Sequence, residues 1–194
     1  MRRLSVALAL GAAVMVGAWV HAADVKEKVE VCKGCHGDNF TSQMENIPSL
    51  AGQLDQYTQW ELVYFRSGAR KNEQMQPIVQ DLTNEDIRNL GAYFAALPPF
   101  KAAADDNSDL SAKGKQAAAG RRCGSCHGDN FAGVKAVPRL AGQREDYLTK
   151  ALHDYKSSAR NGGPQGAMSD VAYPLSDEEI EALAHYLAHF QPPS

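Results

Sequence analysis

The pentapeptide Cys-x-x-Cys-His occurs twice in this 194-residue chain, and it constrains the fold more than any other feature. The copies occupy residues 32–36 and 123–127, and each is followed by Gly-Asp-Asn-Phe. Two cysteines at this spacing form thioethers with the vinyl groups of one haem, and the adjacent imidazole then reaches the iron as proximal ligand. We therefore predict two covalently attached c-type haems. The attachment residues are Cys32, Cys35, Cys123 and Cys126, and the proximal ligands are His36 and His127.

Other uses of the cysteines explain less of the pattern. All four cysteines of the chain lie in the two pairs, so a structural zinc site, a redox-active dithiol and disulfides compete on count alone. Each of these leaves the histidine that follows both pairs without a reason. Haem attachment uses every residue of the motif, and it leaves no cysteine for a disulfide framework.

The amino-terminal segment is typical of an export signal. Two arginines at positions 2 and 3 precede a mostly apolar run over residues 4–20, and small residues follow before the first acid, Asp24. This order predicts a secretory signal peptide over residues 1–23 and a mature start near Asp24. An uncleaved anchor is the alternative, because the apolar run is at the lower limit for spanning a bilayer.

The charge balance excludes two classes of partner. The chain has 20 Lys and Arg, 23 Asp and Glu, and a net charge of −3. Residues 1–23 contain two arginines and no acid, so the mature net charge is about −5. A negative surface argues against nucleic acid or an anionic membrane surface as partner. We expect a periplasmic protein with no stable membrane insertion after signal cleavage.

The chain repeats itself beyond the two motifs. Residues 47–53 reappear as residues 137–143, and the alignment continues with a short insertion through the last helix of each half. Each half is therefore one unit of about 80 residues. We predict domains over 24–100 and 112–194, joined by a small, charged linker over 101–111.

The pattern of apolar residues predicts helices throughout and no strand. Helices are expected over 24–33, 54–66, 112–122 and 144–157. A further helix in each half begins with a cap, Thr83 in the first and Ser176 in the second, and only Ser176 has the Glu that completes a capping box. The fold class is all-α, with each unit wrapped around its haem, because a porphyrin supplies much of the core that so short a unit lacks.

Methionine is the expected sixth iron ligand in both units. His36 is the only histidine between Asp24 and the linker, and the repeat aligns Met75 with Met168, whereas Met44 has no counterpart. Both methionines follow polar or glycine-rich stretches that favour loops. We predict axial ligation by Met75 and Met168. His185 is the fallback ligand in the second unit, and the other histidines there are expected to be surface or packing residues.

Two further repeated pairs leave alternatives open. Pro48 and Pro138 either present a backbone carbonyl to the proximal imidazole or form a simple turn. Arg70 and Arg160 either pair with a haem propionate or remain solvated.

With these motifs in place, the mature chain resembles the dihaem cytochrome c4 family, two tandem class I cytochrome c domains. The shared elements are Pro48-x-Leu-Ala-Gly-Gln53 with Tyr57, the segment 67–70, and Met75 followed by the helix that contains Tyr93, all of which recur in the second half. The resemblance implies periplasmic electron transfer with neighbouring haems at a domain interface.

The expected function is one-electron transfer without substrate chemistry, so we do not expect an enzyme. A His/Met pair favours the ferrous state relative to bis-His ligation and closes the iron to small molecules. The expected partners are redox proteins: membrane oxidase or reductase complexes, or a periplasmic dehydrogenase. The alternative is a dihaem subunit of such a dehydrogenase, for example a flavocytochrome sulfide dehydrogenase. The sequence leaves the oligomeric state open between a monomer and a weak dimer.

Overall fold

The computed structural model describes residues 17–161 and 166–192, with side chains from Val25 onward. Within that part the chain forms helices and one isolated bridge between Val134 and Val137. The expected signal peptide lies mostly outside the described residues, and the first described helix begins at Gly17. The helices are α1 Gly17–His36, α2 Asp55–Ser67, α3 Met75–Val79, α4 Asn84–Ala96, α5 Ser108–Gly120, α6 Gly124–His127, α7 Glu145–Lys156, α8 Gly166–Ala172 and α9 Asp177–His189. No helix among the described residues combines the length and apolarity needed to cross a bilayer.

Each half folds around its own core. In the first unit α2 packs on α4 and α3, and α1 contacts α4. In the second unit α9 packs on α5 and α7, and α7 also contacts α8. The buried side chains form two separate clusters, centred on Phe40, Leu90 and Phe94 in the first unit and on Ile180 and Leu183 in the second. The predicted all-α fold with two units is confirmed.

A phenylalanine with left-handed backbone follows each motif. Phe40 has φ 59° and Phe131 has φ 51°, a region that bulky residues rarely occupy. Their carbonyls each accept hydrogen bonds from two consecutive amides, at 2.8 and 3.1 Å for Phe40 and at 2.9 and 3.1 Å for Phe131. Each ring also meets the aligned tyrosine edge-on, Tyr93 at 5.8 Å and Tyr186 at 6.0 Å between centroids. The repeated sequence is thus a repeated structure, down to its strained residue.

Both final helices begin with a capping box. The Thr83 hydroxyl accepts from the amide of Asp86 at 3.1 Å, and the Asp86 carboxylate accepts from the amide of Thr83 at 2.7 Å. Ser176 and Glu179 repeat the arrangement at 3.1 and 2.9 Å. The sequence predicted the complete box only at Ser176, because the usual pattern has Glu or Gln at the third helical position. In the first unit the shorter Asp86 does the same.

The helix that enters the second unit differs from its predicted bounds. It covers Ser108–Gly120, not 112–122, because Asn107 caps it by accepting a hydrogen bond from the amide of Leu110 at 3.1 Å. The segment predicted as linker therefore includes the first residues of this helix.

Candidate haem sites

The first motif lies at the end of a continuous helix. Cys32, Cys35 and His36 occupy the last two turns of α1. Cys32 and His36 are four positions apart and so share one face of the helix. His36 is buried, Cys32 is half-buried and Cys35 is exposed.

The second motif lies on a separate turn of helix. Helix α5 ends at Gly120, and Arg122, with φ 56°, interrupts the helical backbone before the motif. Cys123 then starts the short helix α6, and the His127 amide donates to the Cys123 carbonyl at 3.1 Å. The motif keeps its helical turn even though the helix before it is broken.

Both motif histidines direct the same ring nitrogen, Nδ1, at a proline carbonyl. Nδ1 of His36 lies 2.8 Å from the carbonyl oxygen of Pro48, and Nδ1 of His127 lies 2.9 Å from that of Pro138. Since a carbonyl only accepts, Nδ1 carries the proton and Nε2 keeps its lone pair for a metal. Burial lowers the pKa of both imidazoles, and the carbonyl only partly opposes this. Of the two alternatives for Pro48 and Pro138, the structure shows the carbonyl contact in both units.

The first thiol of each motif lies in surroundings that disfavour the thiolate. Burial raises the pKa of the Cys32 thiol to about 11 and raises that of Cys123 as well. A structural zinc site and a redox-active dithiol both need thiolates, which such environments disfavour. The surroundings of these cysteines therefore favour neither alternative use.

The two aligned methionines occupy equivalent places. Met75 is the first residue of α3 and Met168 lies within α8, and each packs against the core of its own unit. The sequence predicted loops here, and the structure has short helices. The Met75 amide donates to Asn72 Oδ1 at 2.8 Å, which fixes the start of α3. Met44 is 48% exposed.

A cavity of about 1050 Å³ extends through both units. Its wall brings together every residue that the sequence selects for haem binding. These are Cys32, Cys35, His36, Met75, Cys123, Cys126, His127 and Met168. Met44 and His185 are not part of the wall.

The polar part of the wall also suits a haem. Thr58 Oγ1 and Arg160 Nε are buried and have no hydrogen-bond partner among the described residues, and both residues line the cavity. A buried donor without a partner costs about 1–3 kcal/mol, which a carboxylate-bearing guest would recover. With apolar walls, cysteine pairs and neutral imidazoles, the residues present fit a porphyrin with propionates.

Comparison with known proteins decides the family. The cytochrome c family profile matches residues 22–98 and again residues 111–191. Cytochrome c4 of Thiocapsa roseopersicina is 34% identical over 167 residues, 81% of this chain and 85% of that protein. The chain belongs to the cytochrome c4 family. Its two cytochrome c domains, each with a Cys-x-x-Cys-His motif, imply two covalent haem c groups.

A solved structure and a differently named relative extend the comparison of this cytochrome. Reduced recombinant cytochrome c4 from Pseudomonas stutzeri matches with a TM-score of 0.80 at 30% identity, over 88% of this chain and 98% of that one. A thiosulfate dehydrogenase electron acceptor of Stutzerimonas stutzeri is 36% identical, over 81% of this chain and 78% of that protein.

The two units of this cytochrome are joined by reciprocal hydrogen bonds. Gln143 accepts from the Ser49 amide at 2.9 Å and donates to the Ser49 carbonyl at 3.0 Å. Gln53 accepts from the Arg139 amide at 2.8 Å and donates to the Arg139 carbonyl at 3.1 Å. Because the repeat aligns Gln53 with Gln143, the contact has approximate two-fold symmetry.

A buried carboxylate breaks that symmetry. Glu61, on α2, accepts from Arg160 of the second unit at 2.8 Å and from Arg70 of its own unit. The tyrosines of the repeat complete the cluster, since Tyr57 receives a hydrogen bond from Arg160 at 3.1 Å and Tyr147 is contacted by both arginines. The side chains of Glu61 and Arg160 are 9% and 5% exposed. The solvated alternative for Arg70 and Arg160 is therefore wrong.

Glu61 was not among the site residues predicted from the sequence. The offset that aligns Tyr57 with Tyr147 places Ala151 opposite Glu61. Neighbouring positions differ as well, for example Trp60 opposite Lys150, so the repeat did not single out Glu61.

His185, the fallback ligand, serves elsewhere. It is buried on α9, with Nδ1 3.1 Å from Glu145 Oε2 and Nε2 3.1 Å from Asp105 Oδ1. His153 is exposed, as expected.

Proposed function

We propose that this cytochrome is a dihaem carrier of single electrons with two six-coordinate His/Met haems. The attachment residues are Cys32 and Cys35 in the first unit and Cys123 and Cys126 in the second. The axial ligands are His36 and Met75, and His127 and Met168. The haem iron, when bound, supplies a reversible one-electron couple.

The protein residues set the character of that couple. The Pro48 and Pro138 carbonyls hold the Nδ1 protons, which orients each imidazole and strengthens it as a ligand. The Met75 and Met168 thioethers, as second ligands, would favour the ferrous state and would leave no position for oxygen or peroxide. A closed iron suits electron transfer and opposes a peroxidase or a gas sensor.

One observation carries the proposal. In both units the motif histidine and the aligned methionine lie on the wall of the same cavity. Met44, the unaligned methionine, is absent from that wall. A ligand pair repeated in both units is what a carrier with two equivalent redox centres requires.

The visible spectrum of the purified protein tests the ligands. We expect two haems per chain and, in the oxidised form, the full sulfur-to-iron charge-transfer band. Met75→Ala and Met168→Ala should each remove about half of the band, and Met44→Ala, the matched control, should leave it intact. A wild-type protein that lacks the band, or whose ferrous form binds carbon monoxide, would contradict the proposal.

We infer a periplasmic location and redox-protein partners such as a terminal oxidase. The amino-terminal pattern supports this location. Reduction by a thiosulfate dehydrogenase is a second candidate role, favoured by the 36% identity to the acceptor of such an enzyme. Stopped-flow reduction by thiosulfate and that enzyme tests it. Purification together with a flavoprotein would instead favour the role of a dehydrogenase subunit.

A further inference from the structure

A cluster of histidines and acids lies away from the haem cavity, where the linker meets the second unit. His185 and His189 are four residues apart on α9 and so share a face. Asp105 and Asp106 precede the first turn of α5, and Glu145 is the first residue of α7. Three parts of the chain thus converge on two imidazoles.

The ligand atoms are close enough for one ion. One atom each from Asp106, His185 and His189 lie within 4.8 Å of one another. Ligands of a tetrahedral zinc ion at about 2.0–2.2 Å lie about 3.3 Å apart, so closure needs the most distant pair to approach by up to about 1.5 Å. The Asp106 side chain is 83% exposed and free to make that shift.

The charges around His185 also call for a cation. Its Nε2 faces Asp105 Oδ1 at 3.1 Å and Asp106 Oδ1 at 4.0 Å, while its Nδ1 faces Glu145 Oε2 at 3.1 Å. A neutral imidazole has one proton and can satisfy only one of these two sides, so the arrangement needs either a second proton on His185 or a metal ion at Nε2. A metal at Nε2 would satisfy the other, with Nδ1–H donating to Glu145 in the way carboxylates orient ligating histidines.

We propose that His185, His189 and Asp106 form a binding site for a zinc-type divalent ion that fastens the linker to α9. Two imidazoles and a carboxylate are a donor set for zinc or a similar transition metal, whereas calcium and magnesium prefer oxygen alone. Glu145 and Asp105 supply further negative charge at its edge, at 3.4 Å from His189 Nε2 and 3.1 Å from His185 Nε2. The site is independent of the haem ligands, since neither histidine lines the cavity.

Titration calorimetry of the haem-loaded, chelator-treated protein with zinc chloride tests the site. Haem-loaded protein is used because its cysteines are consumed and cannot bind zinc. We expect one equivalent to bind saturably, and His189→Gln and Asp106→Asn each to weaken the affinity at least tenfold. His153→Gln, which removes an exposed histidine of the same unit, should leave the affinity unchanged.

Two outcomes overturn the site. One is no saturable zinc binding by the wild-type protein, and the other is wild-type affinity in both His189→Gln and Asp106→Asn. Folding is checked by the Soret spectrum. Asp106→Asn alters an exposed side chain, so it keeps the test valid if the histidine variant folds poorly.

Discussion

Replacing Glu61 by Gln should destabilise this cytochrome by about 3 kcal/mol. Glu61 lies between Arg70 and Arg160, whose side chains are 15% and 5% exposed. Removing one partner of a buried ion pair costs about 3–5 kcal/mol, because a charge stays buried without compensation. We expect the lower end, since the glutamine oxygen still accepts one hydrogen bond and the Tyr57 and Tyr147 hydroxyls remain near the guanidinium groups.

Guanidinium chloride unfolding of the haem-loaded protein measures this loss. With a slope of about 4 kcal/mol per M, the midpoint should fall by about 0.75 M. Trp60 fluorescence, next to Glu61 in α2, reports on the first unit, and the Soret circular dichroism reports on the haems. Glu73→Gln, at an exposed acid of the same unit, should shift the midpoint by less than about 0.1 M, as surface changes usually do.

The result that would refute this reasoning is a Glu61→Gln midpoint within about 0.1 M of wild type. It would mean that other groups, the haem propionates first among them, neutralise both arginines. In that case Glu61 would not hold the units together, and the propionate alternative for Arg70 and Arg160 would be favoured.

Two further predictions concern the contact between α5 and α9 and the cap of α4. Gly114→Ala should destabilise the second unit by about 2–3 kcal/mol in thermal unfolding, because its Cβ would lie 2.0 Å from the Ala182 carbonyl oxygen. Gly120→Ala, in the same helix but with no atom within 4 Å of its Cβ, should instead stabilise the unit by about 0.5 kcal/mol. Equal effects of the two substitutions would contradict the tight packing of α5 on α9. Burial acts to raise the pKa of Asp86, but hydrogen bonds from Thr83 and the charge of Lys28 lower it overall. This acid therefore stabilises the fold above about pH 4, and the stabilisation is lost as the pH falls through its lowered folded pKa. Asp86→Asn should therefore cost about 1–2 kcal/mol at pH 7 and progressively less toward pH 3 in denaturant titrations, whereas a cost that does not change with pH would exclude the charge as its source.

Features that depend on neighbours in the chain could be predicted from the sequence. The motifs and the capped last helices follow from short spacings, and the aligned methionines follow from the repeat. The Pro48 carbonyl lies only twelve residues from His36, within the same repeat unit. The helices α3 and α8 were missed because five and seven residues are too few for a helical period to be recognised.

Features that join distant segments could not be predicted. Glu61 meets Arg160 across 99 positions and His185 meets Asp105 across 80. A single sequence gives each of these residues a plausible alternative, a solvated acid or a packing histidine. Only the packing of the two units shows which charges face one another.

The hydrogen bonds of Gln53 and Gln143 relate the two halves as the subunits of a homodimer are related, although both halves belong to one chain. In such an arrangement each half presents the patch that its partner also presents, so each could in principle associate with a copy of itself. The acid at position 61 makes the outcomes unequal. Two copies of the second half would bring Arg160 face to face with Arg160 and offer only Ala151 where the first half has its carboxylate. The charge pattern thus disfavours pairing of two second halves, and the linker makes the pairing of a first half with a second half intramolecular, at an effective concentration that separate chains do not reach.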